Sequence, residues 1–164
     1  MPNWCSNTIT ISADEPEKIK EFVEFLEKNE GKDWFDFFLP TPSELTENDS
    51  NGWYTWNVEN WGCKWNCNAQ DWSVDENLSS VSFWFDSPWS PPVELYRFIT
   101  QNTDFNIQAE YCEEGMGFVG EFIDGFEDTY EYETINDLDD IPEHLIENWN
   151  LRDNLEDWEE NDEN

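Results

Sequence analysis

Positive charge is what this 164-residue sequence has least of: five lysines, two arginines and one histidine stand against forty Asp and Glu. A chain without a basic patch has no electrostatic footprint for nucleic acid or for an anionic membrane. At a formal net charge of -33 it repels both, and what it attracts is basic protein surfaces and cations. Long apolar runs are also missing. None approaches the roughly 20 residues that span a bilayer, and no basic-then-apolar leader opens the chain. The expectation is a soluble cytoplasmic protein with no membrane partner, whose four cysteines are reduced thiols. A phosphate-cradling loop is absent too. Glu113-Glu114-Gly115-Met116-Gly117 carries glycines, but its carboxylates repel phosphate, and the segment reads as a hairpin turn. The lone His144 sits in an acidic stretch with no nucleophile beside it and reads as a solvent-facing helical residue.

Aromatic residues are abundant. Eleven Trp, twelve Phe and five Tyr make up 17% of the chain. Acidic disordered chains are poor in such residues, and each buries roughly 150–250 Å² when packed. The chain can therefore build a core, and its length suits one domain with an acidic extension.

Periodicity places the elements. Ile9 and Ile11 alternate with Thr8 and Thr10, a half-buried strand over Asn7–Ser12. Asp14 and Glu17 have capping-box spacing, and Ile19, Phe22, Val23 and Leu26 form one helical face ending near Gly31. Trp53–Trp61 suits a short helix stopped by Gly62, after the turn-rich Glu47–Gly52. Trp65–Ser73 shows no clear period, whereas Val81–Phe85 alternates as a strand, and Asp75-Glu76-Asn77 suits a hairpin between them. Ser90 and Pro91 mark the start of a helix burying Val93, Tyr96 and Ile99. Phe105, Ile107, Ala109 and Tyr111 share a strand face, as do Phe118, Gly120 and Phe122. Thr129–Thr134 alternates as a further strand, and Ile141-Pro142 opens a short helix through Trp149. Helices separated by strand groups predict an α+β fold: a ferredoxin-like split βαβ with an antiparallel or mixed sheet and helices on one face. The predicted boundaries are a ferredoxin-like domain over 1–125 and an acidic C-terminal extension over 126–164 packing on it. In the tail, Leu151, Leu155 and Trp158 form one thin apolar stripe among seven carboxylates. A helix this short is marginal alone, so it forms when the stripe docks on its own domain or on a partner. If the stripe serves the partner, deleting 150–164 leaves the thermal midpoint nearly unchanged.

Site chemistry is sparse. Cys63 and Cys67, with Cys5, Cys112 and His144, could be assembled into a zinc site, but the spacing lacks paired Cys-x-x-Cys and ordinary buried thiols are the simpler reading. The Trp53–Asn66 stretch could stack bases, yet Lys64 is its one base, and core packing explains it better. Glu59 or Asp71 beside these tryptophans could serve an enzyme as acid or base, because an aromatic pocket raises a carboxylate pKa. Asp137, Asp139 and Asp140 lie close together but lack the spacing of a calcium loop. No cofactor is expected, and a small-molecule ligand is not favoured.

Three segments carry a resemblance: Met1-Pro2-Asn3-Trp4-Cys5-Ser6-Asn7, Asn60-Trp61-Gly62-Cys63-Lys64-Trp65-Asn66, and Phe85-Asp86-Ser87-Pro88-Trp89-Ser90-Pro91-Pro92, followed by Glu113-Glu114-Gly115 through Gly120. Together they resemble the YubB-type ferredoxin-like domain family of phages, plasmids and enterobacteria, over about residues 1–125. That family pattern has Thr where Cys63 stands. The resemblance implies a ferredoxin-like α+β fold and a mobile-element origin, and transfers no functional residue. Its Trp and Gly motifs read as architecture.

What is particular to this chain is the charge asymmetry. From Asp104 onward there are 22 carboxylates and one base, Arg152. The expected function is a phage-encoded, non-enzymatic acidic protein acting in the host cytoplasm. It would engage a basic host or phage protein, as a nucleic-acid mimic that inhibits a defence or nucleic-acid-processing factor, without binding nucleic acid itself. The candidate partner-binding residues are Glu121, Asp124, Glu127, Asp128, Glu131, Glu133, Asp137, Asp139 and Asp140. The alternative is the small enzyme with a carboxylate beside the Trp-rich segment.

Overall fold

A computed structural model describes residues 3–47 and 52–162; four residues of the turn-rich Glu47–Gly52 stretch lie outside it. Strand β1 (Trp4–Ala13) is built by strict alternation. Cys5, Asn7, Ile9, Ile11 and Ala13 are buried on one face, and Ser6, Thr8, Thr10 and Ser12 occupy the other. Helix α1 (Pro16–Lys28) buries Ile19, Phe22 and Leu26. After two short helices, α2 (Ser43–Glu47) and α3 (Gly52–Asn60), come β2 (Gln70–Val74) and β3 (Ser80–Pro88). Helix α4 (Val93–Asn102) then leads into β4 (Phe105–Glu113), β5 (Phe118–Ile123) and β6 (Phe126–Glu131). The strand order is β2-β3-β1-β4-β5-β6. Strand β3 thus lies between β1 and β2, and β1 lies between β3 and β4. Two interleaved βαβ units of this kind are the ferredoxin-like arrangement. Every neighbouring pair is antiparallel, so the sheet is not mixed.

The expectation of helices on one face needs correction. The main core packs α1 and α4 against Ile9, Ile11, Phe83, Phe85, Ile107 and Tyr111. A second core lies on the other side of the sheet. It joins Cys112 of β4 and Val119 of β5 to Leu138 and Ile141 near a 3₁₀ turn (Ile135–Asp140), to Leu145 and Ile146 of α5 (Glu143–Asn148), and to Leu151 and Leu155 of α6 (Leu151–Asp162). Consecutive strand residues point to opposite faces. Tyr111 therefore serves the first core and Cys112 the second, and the last helices cover only the β4–β6 end of that face.

Local chemistry also departs from the sequence reading in places. The α1 N-cap is Glu15, with no side-chain capping bond, so Asp14 and Glu17 form no capping box. Helix α4 starts at Val93 with Pro92 as N-cap. The Ser90 hydroxyl instead donates to the Gly62 carbonyl at 2.6 Å, tying two motif segments together. Strand β6 lies at Phe126–Glu131 rather than Thr129–Thr134. Gly120 faces Tyr111 across β4–β5. A Cβ there would come within 2.6 Å of the Tyr111 ring and 2.5 Å of the Asp128 carbonyl oxygen, so the aromatic ring lies directly on the glycine.

Candidate functional site: the uncovered face of the sheet

The β2–β3–β1 part of the sheet has helices on one side only. Strand register lays residues out in rows across the other side. One row reads Gln70, Trp84, Thr8, Glu110, Glu121, Asp128 from β2 to β6. The next reads Ser82, Thr10, Gln108, Ile123, Phe126. Neighbouring strands are about 4.8 Å apart, so Glu110, Glu121 and Asp128 form a line of directly opposed carboxylates. Like charges so placed destabilise a sheet, and helix α5 offsets the repulsion. His144 Nε2 meets Glu121 Oε2 at 2.6 Å, and Asn148 Nδ2 donates to both oxygens of Glu110 at 3.0 and 3.1 Å.

A groove of about 410 Å³ runs along this face, lined by side chains including Thr8, Thr10, Asp71, Ser82, Trp84 and Glu110. Trp84 is 42% exposed, and its Nε1–H donates to Asp71 Oδ2 at 2.9 Å. A second hollow of about 220 Å³ lies at the sheet end, between Trp4, Trp65, Asn66, Asn68, Gln70 and Asp86. There Trp4 and Trp65 meet edge to face at 5.9 Å. Partial burial lifts the Asp86 carboxyl above its ordinary range, and a bond from Ser6 opposes the rise. No Lys or Arg lines either hollow.

The His144–Glu121 pair has a measurable signature. The hydrogen bond that His144 donates to Glu121, then the charge of Glu121 and that of Glu110, raise the His144 pKa. A group whose folded pKa is raised adds stability below its unfolded pKa and loses it as pH rises through the folded one. The His144 side chain is 52% exposed, so the effect is that of a surface pair, below about 1 kcal/mol. The thermal midpoint of wild type should exceed that of His144→Gln most at mildly acidic pH, with the gap closing as pH rises past neutrality. A gap that widens with pH would rule the pairing out.

The nine acidic candidates do not share one face. Glu121 and Asp128 belong to the carboxylate row. Glu127 points to the opposite side, where Arg97 Nη2 reaches its Oε2 at 2.7 Å, and Glu131, opposite Phe118, shares that side. Asp124 sits in the β5–β6 turn at φ 53. Asp137 is turned onto its own backbone, accepting from Glu133 N at 2.8 Å and Thr134 N at 2.9 Å, bonds that hold its carboxyl below the usual range. Glu133, Asp139 and Asp140 are exposed. Six of the nine (Asp124, Asp128, Glu131, Glu133, Asp139, Asp140) make no side-chain hydrogen bond or ion pair among the described residues. Glu59 and Asp71 line different hollows and do not form one carboxylate site; Glu59 lies beside Arg97 and Glu94.

The motif residues are architecture. Trp61 is buried and donates its Nε1–H to the Leu39 carbonyl at 2.8 Å. Asn57 Nδ2 donates to the Lys64 carbonyl, and Phe35 N to Asn66 Oδ1. The buried Glu113 carboxylate accepts from Gly115 N and Met116 N, closing the predicted hairpin turn. The four thiols are free and buried. Burial pushes Cys112 up to about 11 and holds Cys5 and Cys67 well above the ordinary thiol range, which disfavours the thiolate at neutral pH. No group of three or more His, Cys, Asp or Glu among the described residues is arranged to hold a metal ion. Among the same residues no helix is long and apolar enough to cross a membrane. Sequence reasoning missed Glu110, Trp84 and Asp86. The polar alternation of β1, β3 and β4 marked their face, but the register that aligns them is tertiary.

Comparison with known proteins bears on the fold. None of the curated proteins matches the chain. Among solved structures, the protein api92 from Yersinia pseudotuberculosis is 25% identical, with a TM-score of 0.38, over 57% of this chain and 34% of that one. The present chain thus spans about a third of that protein's length. The family described as the ferredoxin-like domain in Api92-like protein matches residues 60–159, well over half of the sequence and including the C-terminal helices. With the strand order above, this chain belongs to the family of ferredoxin-like domains of Api92-like proteins.

Proposed function

We propose that this chain is a non-enzymatic acidic binding protein that engages a basic protein surface. The observation that carries the reading is the set of exposed carboxylates on β6 and the following turn that have no partner among the described residues. Meanwhile Lys18, Arg97 and Arg152 are each already paired with an acid: Lys18 with Asp104, Arg97 with Glu94 and Glu127, and Arg152 with Glu143. A surface left so unbalanced repels itself, and a cationic partner relieves that repulsion. The finer reading, drawn from the YubB-type resemblance, is a phage or plasmid protein acting in the host cytoplasm. Its partner there is a factor whose basic groove normally holds nucleic acid. Carboxylates about 4.8 Å apart across strands are of the same order as the charge spacing of a nucleic-acid strand, one per about 3.4 Å of axis. Residues 126–164 are then an acidic extension appended to the ferredoxin-like unit of 1–125, and the partner-binding residues, Glu121, Asp124, Glu127, Asp128, Glu131, Glu133, Asp137, Asp139 and Asp140, lie in it and just before it. Electrostatic steering makes such association fast and sensitive to salt.

The test is capture from host lysate on the immobilised chain at low and high salt. A basic protein should be retained at low salt and released at high salt. Free chain should then displace DNA from that protein in a competition assay. Recovery of no basic protein at low salt overturns the reading.

A further inference from the structure

We propose that the groove on the uncovered sheet face is where arginine or lysine side chains of the partner dock, with Trp84 as their stacking surface. This rests on the reading of the chain as a binder of basic proteins and names the surface that does it. Three features make the groove more than a charged patch. Trp84 is exposed yet held, because its Nε1–H is committed to Asp71, and this places a carboxylate at the edge of an indole that lines the groove. A cation over an indole face gains from the ring quadrupole, and the planar guanidinium adds stacking and donors for the carboxylate. Glu110 is likewise held, by both bonds from Asn148, so two acceptors are ordered before the partner arrives and little side-chain entropy remains to be lost.

The floor between them is shallow and polar. It is built from Thr8, Thr10 and Ser82, with the last two hydroxyls 2.8 Å apart. Short hydroxyl side chains leave depth for a long side chain to lie across the strands and can accept from its remaining N–H groups. Charge selects the occupant. The carboxylates of Asp71 and Glu110 line the groove, no Lys or Arg does, and the chain carries -33 overall. An anionic ligand such as nucleic acid is repelled. A neutral saccharide would also stack on an indole but gains nothing from this field.

The experiment is calorimetric titration of the full chain with an octa-arginine peptide at low salt. The comparison set is Trp84→Ala, Trp84→Phe, Glu110→Gln and, on the far side of the sheet, the α1 double variant Glu24→Gln/Glu27→Gln. Trp84→Ala changes no charge, so it separates the groove from general attraction. It should weaken binding about tenfold, with Trp84→Phe recovering much of the loss. The α1 variant should change affinity less than twofold, and the Trp84 indole N–H should be among the first amide-region signals to shift in an NMR titration. Glu110→Gln, expected to weaken binding severalfold, keeps the test intact if Trp84→Ala fails to fold. Equal affinities for wild type, Trp84→Ala and Glu110→Gln overturn the groove while leaving the basic-partner reading standing. So does peptide binding failing altogether when a basic protein is still captured from lysate. Failure of both overturns both. Tighter binding of maltoheptaose or a single-stranded oligonucleotide than of the peptide also overturns the groove assignment.

Discussion

Removing residues 151–164 is expected to unfold the second core. Leu151 and Leu155 are 1% and 2% exposed against Cys112, Val119, Leu138 and Leu145. Truncating one buried leucine to alanine costs about 2–5 kcal/mol. Losing both therefore removes a sum comparable to the roughly 5–15 kcal/mol that holds an entire domain. In a chain of this size 1 kcal/mol moves the midpoint by about 2–4 °C, so Leu155→Ala alone should lower it by on the order of 10 °C. Trp158, the third residue of the stripe, is 46% exposed, and Trp158→Ala should cost under about 1 kcal/mol. Scanning calorimetry of the three proteins checks this. A Leu155→Ala midpoint equal to wild type would mean that α6 is not docked on its own domain. The tail thus contributes its first two apolar residues to the fold, and only the region around Trp158 remains open to a partner.

Trp34→Ala should be the most damaging single change in the main core. The indole is fully buried and meets Phe35 at 4.7 Å, and Phe83 and Phe85 at 5.2 Å, all edge to face. Deleting a buried aromatic costs about 3–5 kcal/mol, and each such ring pair adds about 0.5–1.5 kcal/mol beyond its buried area. Trp34 Nε1 is also buried with no hydrogen-bond partner among the described residues. A buried donor without a partner carries a desolvation penalty of about 1–3 kcal/mol, and Trp34→Phe removes that penalty while keeping a ring. Its loss in urea unfolding should be less than half that of Trp34→Ala. Equal losses for the two variants would show that the volume of the indole, and not the aromatic contact, sets the cost.

How much of this was legible in advance depended on whether the signal was local. The β1 alternation and the buried faces of α1 and α4 could be read directly, because a half-buried element writes its period into the chain. Strand β6 could not. It is an edge strand exposed on both faces, so it has no apolar period, and the Tyr130–Tyr132 alternation drew the boundary late because Tyr132 turns into the second core after the strand ends. The capping assignments failed for a related reason. Ser90 has the right side chain for a helix N-terminus, but the Gly62 carbonyl, 28 residues earlier, claims it.

By itself, then, the sequence determined the composition-level facts: a strongly acidic chain, aromatic enough to fold, with split βαβ order. Only the tertiary structure decided which carboxylates act together. Glu110, Glu121 and Asp128 are 11 and 7 positions apart along the chain and become neighbours through strand register alone, which a local pattern cannot encode. The same holds for the last helices. Their apolar stripe announced that they would dock, but the side of the sheet was set by Cys112 and Val119 facing away from Tyr111 and Phe122. Strand alternation gives each residue a face, and the packed fold decides what covers it.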